Sequence, residues 1–163
     1  MSFDASTQIA LGYDEAIPIA RLAVAEFVWG GTLNPDQAPV WTAQAVESNT
    51  ATAPGVTTQM LSIRCAEQSL LVTPGQVFPV WPLGHLMAAS ALVPGTDRLY
   101  SLTGDPVTII AIASGQTNFT VHSLATTTRG EGRAVDNHLI GANGIVAGDQ
   151  TLEQQSTRKS RLP

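Results

Sequence analysis

Chemistry in this chain would have to come from a short inventory: His85, His122 and His138, a lone Cys65, and thirteen Asp and Glu residues. A protein zinc site needs three or four such ligands to converge, and the histidine spacing matches no metal-binding pattern. His85 and His122 sit in apolar, strand-like stretches and read as half-buried. His138 lies near Asp136 in a polar segment and reads as a surface residue. A serine nucleophile on a G-x-S-x-G elbow is not present, and Ser114-Gly115 fits a plain hairpin turn. Cys65 would need a histidine base beside it; Ile63-Arg64-Cys65-Ala66 reads as a strand end with a small buried thiol. A carboxylate pair for glycoside hydrolysis would be drawn from Asp97, Asp105, Glu131 and Asp136, all at turns or in a polar tail. Gly141-Ala142-Asn143-Gly144 lacks the lysine of a phosphate loop. The expectation is no catalytic residue, no metal and no cofactor: not an enzyme.

Composition narrows the partners. Hydrophobic residues make up 44% of the chain, but charged residues only 13% and aromatics 6%, where an average chain carries roughly 25% charged residues. A surface built from Ala, Thr, Ser and Gly suits contact with other protein, since free monomers usually carry charge-rich surfaces. The net charge of −5 argues against nucleic acid, because phosphate binding needs clustered Lys and Arg. Arg158, Lys159 and Arg161 form the sole basic cluster in the sequence. A single cysteine makes no internal disulfide. Met1-Ser2-Phe3-Asp4 does not open a signal peptide, and no apolar run reaches the roughly 18 residues of a membrane span. Synthesis in a host cytoplasm without a membrane partner is expected.

The elements that would position these groups read as all-β, with room for one short helix. Residues 56–126 carry short apolar runs at 60–63, 69–72, 76–81, 85–93, 98–102, 107–113 and 118–124. Turn residues separate them at the intervals of a small sandwich or barrel-like core. Pro-Gly at 54–55, 74–75 and 94–95 predicts type II turns. Residues 1–55 read as an N-terminal arm and linker. Ile9, Leu11, Tyr13, Ile17 and Ile19 fall on odd positions, as in one extended strand with an apolar side, and Pro18 assigns that strand to an edge. Gly30-Gly31 ends the next element, and 41–55 is a Thr/Ala/Ser-rich linker. Residues 127–163 read as a glycine-rich, polar C-terminal extension whose last dozen residues form an arm or a disordered tail.

Gly84-His85-Leu86-Met87-Ala88-Ala89-Ser90, then Arg98-Leu99-Tyr100 and Pro106-Val107-Thr108-Ile109-Ile110-Ala111-Ile112-Ala113, resemble the bacteriophage head-decoration (cement) proteins of the lambda type. Thr128-Arg129-Gly130-Glu131-Gly132-Arg133 and Asn137-His138-Leu139-Ile140 are similar to that family's turn ahead of a final apolar pair. The resemblance spans residues 68–145. It implies a homotrimer on the capsid surface of a virion, with the major capsid protein as partner and an N-terminal arm that clamps the shell. The residues themselves point the same way: an apolar N-terminal strand without a local mate is suited to adding to a neighbour's sheet. Ile9, Leu11, Tyr13, Ile17, Ile19 and Trp29 are then the candidate capsid or subunit contacts. Alternatives are a head–tail connector, tail or fibre-base protein. More distant is a carbohydrate-binding module stacking sugars on Trp41 and Trp81, or a small hydrolase using His122 or Asp136.

Overall fold

The computed structural model describes residues 3–35, 37–127 and 138–161. Within them the expected all-β fold is present: fourteen strands and one α-helix. The strands are β1 (Phe3–Asp4), β2 (Gln8–Ala10), β3 (Ala16–Pro18), β4 (Phe27–Thr32), β5 (Val40–Ala51), β6 (Thr58–Cys65) and β7 (Ser69–Val72). They continue with β8 (Val77–Val80), β9 (His85–Ala88), β10 (Arg98–Tyr100), β11 (Pro106–Thr117), β12 (Val121–Thr126), β13 (Leu139–Ala142) and β14 (Ile145–Gly148), before helix α1 (Gln150–Arg161). All but β8 and β9 join one antiparallel sheet, ordered β10-β11-β6-β7-β1-β12-β5-β4-β13-β2-β3, with β14 paired to β13. No helix among the described residues is long and apolar enough to cross a membrane.

Residues 1–55, read from sequence as arm and linker, supply β1 to β5 to this sheet. Phe3, Ile9, Ile19, Val28 and Val46 enter the main core. The odd-position alternation is a hairpin rather than one strand. Leu11 and Gly12 donate their N–H to the Glu15 carbonyl, and Ile9 faces Ile17 across β2 and β3. Pro18 sits in β3 at the sheet's end, where a missing N–H costs least. The stretch expected as a Thr/Ala/Ser linker is mostly the twelve-residue β5, paired to β4 on one side and β12 on the other. Backbone pairing on both edges holds small residues that carry little strand preference of their own. Gly30-Gly31 does not end β4. Gly31 lies under the Trp41 ring, and a Cβ there would sit 2.8 Å from Trp41 Cζ3.

The chain is built twice. A hairpin (β2–β3, then β8–β9) leads into a 3-10 turn (Ile19–Arg21, then Ala89–Ala91). That turn is closed by a buried leucine, Leu22 or Leu92, whose N–H donates to the turn's first carbonyl. Glu26 Oε1 accepts the Ala23 N–H at 2.8 Å, and Asp97 Oδ2 accepts the Val93 N–H at 2.7 Å, so these acids tie turns. Each half ends in a short strand paired to a twelve-residue one: β4 with β5, β10 with β11. The Pro-Gly turns at Gly55 and Gly95 take the expected positive φ; the turn at Pro74-Gly75 does not.

Equivalent positions in the two halves are Ala25 and Gly95, at φ 73° and 78°. An L-residue pays roughly 1–2 kcal/mol in this region and glycine does not. Ala25→Gly is expected to stabilise the protein by about 1 kcal/mol, read as a higher midpoint in urea; an unchanged or lower midpoint would show that Ala25 is unstrained.

Candidate functional site

The region read from sequence as a polar extension contains a heavily bonded buried group, Asp149. Asn143-Gly144, at φ 48° and 80°, makes the tight turn between β13 and β14, as Asn-Gly does between strands. Both strands are fully buried. Immediately after β14 comes Asp149, 1% exposed, as N-cap of α1. Its Oδ1 accepts the Leu152 N–H at 3.2 Å, as N-cap carboxylates do for the first helical turn. Its Oδ2 accepts from the Thr126 N–H at 2.8 Å and the Thr126 hydroxyl at 3.0 Å. His138 Nδ1 stands 2.9 Å from the same oxygen. A carboxylate that is ionised only accepts, so in this contact Nδ1 is the donor. The Asp149 N–H in turn donates to the His138 carbonyl at 2.9 Å.

Gln76 reaches this centre from the other half of the chain. Fully buried at the entry to β8, it donates from Nε2 to the carbonyls of Gly148 at 2.7 Å and Val77 at 2.8 Å. The Gly148–Asp149 peptide is thus gripped at both ends, its oxygen by Gln76 and its N–H by the His138 carbonyl. Among the described residues, Gln76 Oε1 and the Ser123 hydroxyl are buried with no hydrogen-bond partner. An unpaired buried polar atom costs roughly 1–3 kcal/mol, so each calls for a cause such as strain, a bound water or a catalytic role. Ser123 and Thr126 lie on β12, and β12, β14, β8 and α1 pack together.

The residues singled out from sequence are dispersed. His85 is exposed on β9. His122 is buried in β12, its Nδ1 3.0 Å from Asn49 Oδ1, and desolvation holds its pKa below the ordinary histidine value despite the opposing charge of Asp4. His138, expected at the surface, is 6% exposed. Cys65 is a buried free thiol at the end of β6, with its pKa raised by burial. Asp105 accepts from the Thr103 hydroxyl in a turn. Ser114-Gly115 lies inside β11, not at a hairpin turn. Glu131 and Asp136 lie outside the described residues. Trp81 carries the Arg98 guanidinium 5.4 Å from its ring centroid. Ile9 and Ile19 are fully buried, and the partly buried Leu11 and Ile17 pack against the core. Tyr13 is exposed and edge-on to Trp29, which stacks on Trp41 at 5.5 Å.

Against solved structures the likeness extends over nearly the whole chain. A bacterial intein-like domain from Clostridium thermocellum superposes with a TM-score of 0.72 at 16% identity, covering 91% of this chain and 98% of its own. A DnaB intein from Synechocystis sp. PCC 6803 gives 0.67 at 13% identity, covering 91% and 98%. The gp41-1 intein gives 0.65 at 16% identity, covering 91% and 99%. The fold is intein-like. No protein-family model and no curated protein matches the sequence.

An intein-like fold overturns the decoration reading, together with its connector, tail, fibre-base, sugar-binding and hydrolase alternatives. The turn-and-strand pattern that carried the resemblance is general β chemistry, and the topology it belongs to here is a different one. A capsid partner and a trimer lose their support with it. The expectation of no enzyme rested on finding no convergent groups, and it is withdrawn for a chain whose fold is that of inteins and an intein-like domain. Sequence reading missed Asp149, Thr126 and Gln76. Two signals were present: Asn-Gly between apolar runs, and an Asp directly ahead of a helix-forming stretch.

Asp149→Ala leaves several buried donors unpaired and is expected to destabilise by about 3–5 kcal/mol; equilibrium unfolding showing under 1 kcal/mol would contradict the network. His122 has its folded pKa below its unfolded value, so the unfolded state binds the proton first. Its stabilisation is complete above the unfolded pKa near 6.5 and declines as pH falls below it. His122→Asn is expected to flatten the fall in melting temperature from pH 7 to pH 5; an unaltered slope would assign that fall to other groups.

Proposed function

We propose that this chain is a self-processing domain, acting on a peptide bond of the polypeptide in which it is embedded. The observation that carries the reading is the grip on the Gly148–Asp149 peptide by Gln76 and His138, next to the buried carboxylate of Asp149. Peptide-bond chemistry needs a polarised carbonyl, a proton-transfer group and a nucleophile held within reach. Gln76 Nε2 supplies the donor to the Gly148 carbonyl. The imidazole of His138 is the proton-transfer group. Asp149 and Thr126 supply a carboxylate and a hydroxyl, and Ser123 a second, unpaired hydroxyl. The intein-like fold is support from a second direction, since inteins are protein-splicing domains set within host proteins.

The experiment is a fusion with one reporter domain before the chain and another after it, purified and followed by intact-mass spectrometry. The expected outcome is cleavage or ligation at a junction within Gly148–Asp149–Gln150, at least ten-fold slower in His138→Ala and Gln76→Ala. A precursor that stays intact on prolonged incubation, with folding verified, would overturn the proposal.

A further inference from the structure

Charge is unevenly placed along this chain. Residues 1–63 hold six acidic side chains against one base, Arg21, and so carry the whole net charge of −5; residues 64–163 hold seven of each sign. Two well-exposed aromatic rings belong to the acidic half, Tyr13 at 60% and Phe27 at 65%.

Strand alternation joins these rings into one surface. Val28 points into the core, so Phe27, Trp29 and Gly31 lie on the outer side of β4. Across the ladder, Ala45, Ala43 and Trp41 of β5 face them in that order. Trp41 lies over Gly31 and stacks on Trp29, and Tyr13 meets Trp29 edge-on with centroids 4.7 Å apart. Beside Phe27 is a hollow of about 320 Å³ lined by Ala43, Gln44, Ala45 and Thr127, room for one side chain.

This stripe is held in place by its own fold. Trp41 Nε1 donates to the Leu102 carbonyl at 2.8 Å, and the bonds from the Leu11 and Gly12 N–H groups to the Glu15 carbonyl close the turn that carries Tyr13. Fixed aromatic rings anchor a partner at small ordering cost. Exposed Asp14 and Glu15 follow Tyr13 directly, and exposed Glu26 precedes Phe27. Ring faces attract cations through their quadrupole, and neighbouring carboxylates add to that field. The other half of the chain makes this pairing internally, with Arg98 over Trp81.

We propose that the Tyr13–Trp29–Phe27 face is a docking surface for a cationic polypeptide segment, one that lays arginine or lysine side chains over the rings and against Asp14 and Glu15. The surface is separate from the Asp149 centre, and the inference does not rest on the processing reading.

The test is titration of the full chain, followed by tryptophan emission and calorimetry, with oligo-arginine and with oligo-glutamate and neutral Gly-Ser peptides of equal length. Oligo-arginine should bind and the other two should not, with affinity about ten-fold lower in high salt. Tyr13→Ala and Phe27→Ala should each weaken binding about three- to five-fold, and Tyr13→Phe should keep it. Asp14→Asn combined with Glu15→Gln should weaken it at least as much, while Glu67→Gln, an exposed charge in the other half, should not. These side chains are exposed, and circular dichroism verifies that each variant is folded. Unchanged affinity in Tyr13→Ala and Phe27→Ala, or equal losses in Glu67→Gln, would reduce the binding to net charge and overturn the proposal. So would sedimentation showing that the wild-type chain dimerises and Phe27→Ala does not, which would assign the face to a second copy.

Discussion

A buried carboxylate must be surrounded by donors or it does not stay buried, and Asp149 meets that condition with groups from three separate parts of the chain. Thr126 comes from the end of β12, His138 from the entry to β13, and Leu152 from the first turn of α1. Thr126 and His138 lie 23 and 11 residues before Asp149, so the carboxylate ties β12 to the β13–β14 hairpin, while Leu152, 3 residues on, belongs to the helix that Asp149 caps. Charged acceptors make stronger hydrogen bonds than neutral ones, and burial strengthens them further while raising the penalty for losing any. The same constraint therefore orders the local structure and concentrates reactive groups in a dry site.

The doubled architecture explains how two distant segments meet there. Each half brings a hairpin and a 3-10 turn to the core, and the second hairpin starts at Gln76, whose carbonyl accepts the Ala89 N–H. That bond leaves the Gln76 side chain free to turn toward Gly148. The equivalent place in the first half is Thr7, whose carbonyl accepts the Ile19 N–H. At matching backbone positions one half thus carries a glutamine, whose amide enters the centre, and the other a buried threonine. A fold built from two like halves offers such paired approaches without any repeat visible in the sequence, because only the backbone bonds and a few apolar positions, such as Leu22 and Leu92, are held in common.

Much of the fold was legible. The apolar runs between Met60 and Leu124 became strands, and the Pro-Gly pairs became turns, because those signals are local: β-branched residues on pleated surfaces and fixed φ at proline. Pro18 was placed at an edge strand for an equally local reason, the missing N–H. The long β5 was not legible, since Thr, Ala and Ser in it are held by partners on both sides and not by their own preference. The hairpin around Glu15 was read as one strand because alternation does not stop at a turn of matching parity.

The site was illegible for a different reason. Its members are single residues of ordinary type, Gln76, Thr126, His138 and Asp149, spread over half the chain and brought together by sheet topology alone. Asn143-Gly144 and the Asp149 cap were readable signs of a hairpin and a helix start, and together they would have placed His138 at the entry to a buried strand. What remains to establish is that the carboxylate and the imidazole act as one unit. A double-mutant cycle between His138→Ala and Asp149→Asn in equilibrium unfolding tests this most directly. A coupling of about 1–3 kcal/mol is predicted for a buried, charge-assisted pair; strictly additive effects would contradict the centre on which this account is built.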